Sequence, residues 1–309
     1  MRIAVLAGGV GGARFVQALT EVVRPSDMTV IANVGDDLEV HCLHVSPDLD
    51  TLLYTLAGLG DEERGWGRAD ETWNARDTIE RLGGETWFQL GDRDLGLHLV
   101  RTEALRRGEP LSAATERIAR AVGLHLALLP ATDDRLRTRI RTPAGEFEFQ
   151  EWFVARGHAD RVDQVVYDGA ADATPAPGVL EALEAAELIA IAPSNPFVSI
   201  GPILAVDEIR AVVERRRERV VAVSPLIGGR AVKGPAEAMF QSLAGGTGAA
   251  QVTDCYNGLI GALVIDEADA DDAAAVAERG VRPLVTRTLM SEPDARAELV
   301  ETVLGLVPA

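Results

Sequence analysis

Short runs of Val, Ile and Leu recur along the chain, and most are followed by a segment with the apolar spacing of a helix. Buried parallel strands and their crossover helices give this pattern. It predicts a doubly wound, mostly parallel, Rossmann-like α/β sheet, in which ligands bind beyond the carboxyl ends of the strands. The strands are predicted at 2–6, 29–33, 188–192, 220–223, 261–265 and 283–285. The helices are predicted at 12–23, 51–57, 178–185, 205–217, 235–243, 270–278 and 293–304.

The segment 68–168 departs from this rhythm. Its pattern predicts helices at 70–82 and 112–122, followed by a β-hairpin over 137–152 that turns at 143–145. We therefore predict a nucleotide-binding core formed by 1–67 and 169–309, with 68–168 inserted as an α+β lobe. Such a lobe would suit a lid or a second-substrate lobe, and a lobe without a functional role fits the pattern equally well.

Charge limits the partners. The 309 residues include 30 Lys and Arg against 48 Asp and Glu, which gives a net charge of −18. This charge disfavours nucleic acid and anionic membranes, so an anionic small substrate would need a local trap of amides, cations or a metal. Two cysteines and no apolar run of membrane-spanning length predict a cytoplasmic protein that does not enter a membrane. Apolar helices on an acidic chain are compatible with a homodimer.

A glycine-rich turn follows the first predicted strand. Gly9, Val10, Gly11 and Gly12 precede a helical pattern, so backbone amides and a helix N-terminus could bind a phosphate there. Arg14 stands where the dinucleotide fingerprint has its third glycine, and no P-loop lysine follows. The alternative is a tight turn with a structural role only.

Carboxylates follow the second predicted strand. Asp36 and Asp37 lie just after Asn33, and Asp48 and Asp50 precede a helical pattern. Near a phosphate loop, such side chains can hold Mg²⁺ or accept a proton from an attacking hydroxyl. The alternative for Asp50 is the N-cap of a helix beginning at residue 51.

The segment 41–44 contains two histidines and a cysteine, which are residue types that bind zinc. The two histidines would face opposite sides of a strand, and no second ligand pair follows, so a structural role is favoured.

Two later loops carry further polar residues. A stiff segment after the strand at 188–192 contains Ser194, Asn195, Pro196 and Ser199, which offer donors and acceptors. The loop after the strand at 220–223 predicts another anion site through Pro225, Gly228, Gly229 and Lys233. We expect these loops and the first glycine turn to meet at one edge of the sheet.

Taken in order, these motifs resemble the 2-phospho-L-lactate transferase family of deazaflavin coenzyme synthesis over nearly the whole chain. The ordered set is far more specific than any single motif. The segments that carry the resemblance are 8–14 (GGVGGAR), 33–37 (NVGDD), 46–51 (SPDLDT), 91–95 (GDRDL) with His98 and 101–102, 194–196 (SNP) with 199–200, 224–225 with 228–229, and 233–235 (KGP).

The resemblance implies a reaction. The terminal ribityl hydroxyl of the deazaflavin Fo attacks a guanosine diphosphate conjugate of enolpyruvate or lactate, Mg²⁺ is required, and GMP leaves. It implies Asp48, Asn33 and Arg93 against the deazaflavin, and the first glycine turn, 194–195 and 228–229 around the nucleotide. The segment 244–248 departs from the family's pattern.

The sequence does not decide which aspartate has which role. An alcohol attacking a charged diphosphate needs positioning, charge neutralisation and a proton acceptor. We assign catalysis to Asp48, Asp50 and Asp36, with Asp48 orienting the hydroxyl. Asp36 and Asp37 are the predicted Mg²⁺ ligands.

Two other functions fit parts of the sequence. One is a regulatory nucleotide-sugar-binding protein similar to gluconeogenesis factor, against which the segment 91–95 counts. The other is an NAD-dependent oxidoreductase, against which the missing third glycine counts.

Overall fold

The structure is a computed structural model that describes residues 1–306. In chain order, the strands are β1 Ile3–Ala7, β2 Met28–Ala32, β3 Leu38–Val40, β4 Leu43–Val45, β5 Ala127–Pro130, β6 Arg137–Thr142, β7 Gly145–Glu148, β8 Gln164–Asp168, β9 Leu188–Ile191, β10 Val220–Val223, β11 Leu226–Ile227, β12 Arg230–Ala231, β13 Ala262–Asp266 and β14 Arg282–Thr286. The α-helices are α1 Gly9–Thr20, α2 Pro47–Leu56, α3 Asn74–Arg81, α4 Asp92–Arg106, α5 Leu111–Ala121, α6 Val179–Ala185, α7 Gly201–Leu204, α8 Asp207–Arg215, α9 Ala236–Met239, α10 Ala249–Cys255, α11 Ala273–Glu278 and α12 Pro293–Leu304.

A seven-stranded sheet organises the fold, in the order β14-β13-β10-β9-β1-β2-β5. Every neighbouring pair in it is parallel. The chain builds outward from β1 to β5 and then returns to β9, on the other side of β1. The topological switch point, where ligands bind in sheets of this kind, therefore lies between β1 and β9. The predicted doubly wound α/β class is confirmed.

Helices cover both faces of the sheet. Val5 of β1 packs in one core cluster with α1 and α12, whereas Leu6 packs in the opposite cluster with α6 and α8. Strands that are buried on both faces must be apolar at every position, which explains why the sequence marks them as continuous apolar runs.

All six predicted strands belong to this sheet, and the sequence missed its seventh strand, β5. This strand pairs with β2, although it lies within the segment 68–168 that was assigned to the inserted lobe. Its four residues end in a proline and give little signal. The same segment also contains a separate sheet in which β6 pairs with β7 and β8, and β6 and β7 form the predicted hairpin. The division into core and lobe stays a prediction.

Helix α4 was also missed, and its residues explain why. Asp94, His98 and Arg101 are buried, whereas Leu99 and Val100 are exposed. This inverts the usual pattern, so no apolar face indicates a helix. A helix that buries its charged residues needs partners for them, and those partners lie beside the candidate site.

Candidate active site

The loops at the carboxyl edge of the sheet meet at the switch point. The loop after β9 touches the turn after β1, because Ser194 Oγ donates to the Gly8 carbonyl (2.7 Å) and accepts from the Gly8 amide (3.2 Å). Since the strands are parallel, the loops after β2 and β10 lie on the same edge. The expected contact is confirmed for the first glycine turn and the loop after β9, and the loop after β10 lies on the same edge of the sheet.

Glycines in the first turn permit close packing. A Cβ at Gly8 would overlap the Asp48 carboxylate and lie 2.9 Å from Ser199 Cβ. A Cβ at Gly11 would lie 2.8 Å from the Pro193 carbonyl oxygen. Packing alone thus accounts for these glycines, and they are not by themselves evidence for a phosphate. The N-terminus of α1 is a separate feature: it has no side-chain cap and no acidic residue in its first turn, which leaves it suited to an anion.

Asn33 connects three walls of the crevice. Its Nδ2 donates to Asp36 Oδ1, to Asp48 Oδ2 (2.9 Å) and to the Val198 carbonyl (3.1 Å). Its Oδ1 accepts from the Gly35 amide (2.7 Å). One amide therefore joins the end of β2, the start of α2 and the turn after β9, and it holds two of the predicted carboxylates side by side.

Asp37 lies on the other side of this group. Its Oδ2 accepts a hydrogen bond from Ser46 Oγ (2.8 Å) and lies 2.9 Å from His44 Nε2. Its Oδ1 is buried and has no hydrogen-bond partner. His44 and the left-handed residues His41 and Cys42 belong to the β3–β4 hairpin, as their favoured structural role requires.

Burial without counter-charge alters two of these carboxyl groups. Burial, with Asp48 as a like charge, raises the pKa of Asp36 well above its ordinary value. Burial also raises the pKa of Asp48 to about 6, although hydrogen bonds from Asn33 and the Gly9 amide oppose this rise. Asp48 is therefore mostly ionised at neutral pH and remains a usable proton acceptor.

The donor set fits a hard divalent cation. Among residues 1–306, no three His, Cys, Asp or Glu side chains form a ready-made metal site. Mg²⁺, however, commonly binds to one or two carboxylates and completes its shell with substrate phosphates and water. The unpartnered Asp37 Oδ1 and the raised pKa of Asp36 both mark negative charge that lacks a counterion. The predicted ligands Asp36 and Asp37 therefore fit the ion, and magnesium binding stays a prediction.

Asp50 differs from the other three aspartates because it is paired with an arginine. Helix α2 begins at Pro47, so the alternative role of Asp50 as the N-cap is wrong. Both carboxylate oxygens of Asp50 accept from the guanidinium of Arg101, which is 2% exposed. Both oxygens of Asp50 are engaged in this ion pair, which favours a positioning role over the predicted catalytic one.

The second predicted loop is stiff and locally bonded. Asn195 Oδ1 accepts from the Phe197 amide (2.9 Å) and caps the helical turn Pro196–Ile200. Ser199, in that turn, lies against Gly8. A nucleotide role is not needed to explain Asn195, and its predicted nucleotide contact stays a prediction.

The third predicted loop already holds an anionic group. Gly228 and Gly229, just after Pro225, are left-handed, and their amides donate to Asp269 Oδ2 and Oδ1 (2.9 Å each). This is the geometry of an anion-binding nest. A phosphate could use these two amides only if the Asp269 side chain moved away.

Lys233 and Arg93 lie at the ends of the predicted site. The Lys233 ammonium packs against Gly65, and half-exposed Arg93 lies 3.9 Å from Asp70. Arg93 is at the start of α4, whereas Leu105 near its end borders a cavity of about 530 Å³ beside Asp37. Twelve residues of helix separate them by about 18 Å.

Comparison with known proteins now decides the family. The family model described as 2-phospho-L-lactate transferase CofD matches residues 3–297. The chain belongs to this transferase family. Among curated relatives, the phosphoenolpyruvate transferases of Streptomyces coelicolor and Kitasatospora aureofaciens are 42% and 43% identical, over 99% of this chain and 98% of each relative.

Solved structures agree with the fold. Two crystal structures of a upf0052-family protein from Bacillus halodurans superpose with TM-scores of 0.66 and 0.63. Each is 16% identical and covers 98% of this chain and 99% of that chain, which supports the fold only. Within residues 1–306, no helix has the length and apolar character needed to cross a membrane.

The family model and the relatives show that the chain is a transferase. The sequence assigns no role to four residues that border the candidate site. Arg101, Tyr54 and Asp94 tie α4 to α2, and Asp269 fills the Gly228–Gly229 nest. The spacing of Asp94, His98 and Arg101, at i, i+4 and i+7, was a usable signal for one polar helix face.

The raised pKa of Asp48 makes a testable difference to stability. A carboxyl group whose pKa is higher in the folded state adds stability that is complete below its unfolded pKa and is lost as the pH rises through the folded value, here about 6. Asp48→Asn removes this loss. The variant's gain in unfolding free energy over the wild type should therefore be about 2–3 kcal/mol larger at pH 8 than at pH 4.

Chemical denaturation at both pH values measures this gain. The control is Gly96→Ala, at an exposed position of α4 with open space around it, because it changes no charge and should act equally at both pH values. A pH-independent effect of Asp48→Asn would contradict the raised pKa.

Proposed function

We propose that this transferase moves a phosphoenolpyruvyl group from a guanosine diphosphate conjugate to the ribityl hydroxyl of the deazaflavin Fo in coenzyme F-420 biosynthesis, releasing GMP. The names of these two curated relatives support enolpyruvate over lactate as the donor's acid. The observation that carries the proposal is the Asp48 carboxylate, held between Asn33 and the glycine turn at the switch point of a family member.

Asp48 suits the activation of an alcohol. Held by Asn33 and the Gly9 amide, its carboxylate faces the N-terminus of α1, where a diphosphate would lie. In the proposed reaction the hydroxyl oxygen forms a bond to the distal phosphorus, and Asp48 accepts the proton. The bond from that phosphorus to the bridging oxygen breaks, and the electron pair leaves with GMP.

The remaining residues would supply charge balance and orientation. Mg²⁺, when bound by Asp36 and Asp37, would neutralise charge on the diphosphate. The amides of Val10 and Gly11 at the start of α1 would bind phosphate oxygens, because the Gly9 amide already donates to Asp48. The Gly228–Gly229 nest joins them only after Asp269 is displaced. The protein's net charge of −18 makes such local neutralisation necessary.

Mass spectrometry of the products tests the reaction. The protein is mixed with Fo, Mg²⁺ and either the enolpyruvyl or the lactyl guanosine conjugate. We expect a phosphoenolpyruvyl-Fo product and GMP in equal amounts, with the enolpyruvyl donor consumed faster. A faster lactyl reaction would transfer the proposal to lactate, the second candidate, which the name of the family favours. No product from either donor would overturn the proposed function.

A second measurement separates donor binding from transfer. Lys233 is the only lysine in the sequence, so an amine-reactive reagent modifies it and the N-terminus alone. If Lys233 contacts the donor, GDP with Mg²⁺ should slow its modification severalfold while the N-terminus reacts as before. NAD should give no protection, whereas protection by NAD would favour the oxidoreductase alternative.

A further inference from the structure

Two contacts fix α2 against α4. Arg101 binds Asp50 in the first turn of α2, and Asp94 accepts from the Tyr54 hydroxyl (2.5 Å) one turn later. Because residue numbers rise along α2 while they fall along α4, the two helices run antiparallel. The start of α2, which carries Asp48, therefore lies beside the second half of α4.

A chain of hydrogen bonds connects Arg101 to Asp37. The Asp50 carboxylate that it binds also accepts from the Ser46 amide (3.4 Å), and Ser46 Oγ donates to Asp37. The next residue, Thr102, accepts from the amide of His44, whose ring bonds Asp37. Arg101 and Thr102, which are adjacent in α4, thus fix the two residues that bond Asp37, namely Ser46 and His44.

Helical geometry separates the roles of Asp48 and Asp50. Successive residues of an α-helix are about 100° apart, so these two side chains point about 200° apart. Asp48 reaches Gly8 and Asn33, whereas Asp50 reaches Arg101 behind the helix. By holding Asp50, Arg101 therefore fixes the direction in which Asp48 points, without itself contacting a substrate.

Stability alone does not account for this pair. A buried ion pair often contributes no more than apolar residues of similar volume would. The Arg101 Nε is also buried without a hydrogen-bond partner. Neutral, buried His98 lies 3.5 Å from the guanidinium and adds no charge of its own, because burial lowers its pKa to about 4. A buried, directional contact that adds little net stability points to a need to fix the geometry of the first turn of α2.

We propose that Arg101 is a positioning residue of the transferase: through Asp50 it holds the first turn of α2 so that the Asp48 carboxylate faces the glycine turn. This inference rests on the proposed function for its kinetic consequence, but not for its structural one.

A double-mutant cycle tests the proposal with Asp50→Asn, Arg101→Gln and the double variant. Arg101→Gln leaves a buried carboxylate unpaired and should lower Tm strongly, whereas the double variant removes both charges and should recover most of that loss. If the paired hydrogen bonds between Arg101 and Asp50 orient Asp48, kcat of the double variant stays at least about tenfold below the wild type. KM of both substrates should change little. Arg107→Gln removes an exposed arginine that directly follows α4 and is the matched control.

The Asn33 side-chain amide provides a readout that needs no activity. Because it donates to Asp48, its NMR resonance should shift in Arg101→Gln and in the double variant and stay in place in Arg107→Gln. If the wild type transfers nothing, the proposed function fails while this resonance still decides the role of Arg101. Either a wild-type kcat or an unmoved Asn33 resonance in the double variant overturns the proposal.

Discussion

Replacement of Asp48 by Asn should lower kcat for transfer by about 10²–10⁴-fold, the usual contribution of a positioned proton acceptor. The amide has almost the same shape and can keep one hydrogen bond in place of those now made with Asn33 and the Gly9 amide. It cannot accept the proton of the attacking hydroxyl. The fold should therefore persist, and Tm should not fall, while the chemistry stops.

The pH profile of the wild type provides the matching evidence. The ionised form of Asp48 is the active one, so the rate should rise with pH through about 6 and then level off. Steady-state kinetics of both proteins between pH 5 and 8 measures this. An Asp48→Asn variant with wild-type kcat, or a rate that falls as the pH rises through 6, would exclude Asp48 as the acceptor.

Gly8→Ala should lower both the stability and the activity of the protein. The new Cβ would overlap the Asp48 carboxylate and press on Ser199, so either the carboxylate or the turn must move. Overpacking of this kind costs about 1–3 kcal/mol of unfolding free energy. A displacement of Asp48 by about 1 Å should also reduce kcat/KM by about 100-fold.

The control for this substitution is the same change elsewhere in the chain. Gly96→Ala adds its methyl group to an exposed helix position with nothing nearby, and it should stabilise the protein by about 0.5–1 kcal/mol with unchanged kcat/KM. Denaturation and kinetics of the two variants give the comparison. Normal activity in Gly8→Ala would show that the turn adapts and that the packing around Asp48 is not critical.

The sequence predicted those parts of the fold whose residues follow the hydrophobic pattern. Strand β1 is apolar at every position because both of its faces are covered, and the pattern located it within one residue. Helix α4 could not be located in this way, because several of its buried residues are polar and two of its apolar residues, Leu99 and Val100, are exposed. Strand β5 has no β-branched residue and ends in a proline, so it did not stand out.

The candidate site shows the same division. Glycines, and aspartates that follow strands, are visible in a sequence, so Asp36, Asp37 and Asp48 could be assigned to one crevice in advance. What Asp50 does could not, since it depends on Arg101, which lies 51 residues further along the chain. The occupant of the Gly228–Gly229 nest was likewise hidden, because Asp269 is 40 residues beyond Gly229.

The bond between Gly8 and Ser194 spans 186 positions of the chain. During synthesis, the turn that contains Gly8 leaves the ribosome long before the loop that contains Ser194 has been made. A fragment that stops before β9 would carry the glycine turn and the aspartates on an open edge, without Ser194 or Val198 to close over them. Under the proposed function, the substrates can be recognised only after β9 and the loop that follows it have been synthesised, and an amino-terminal half of the chain cannot bind them in the same way.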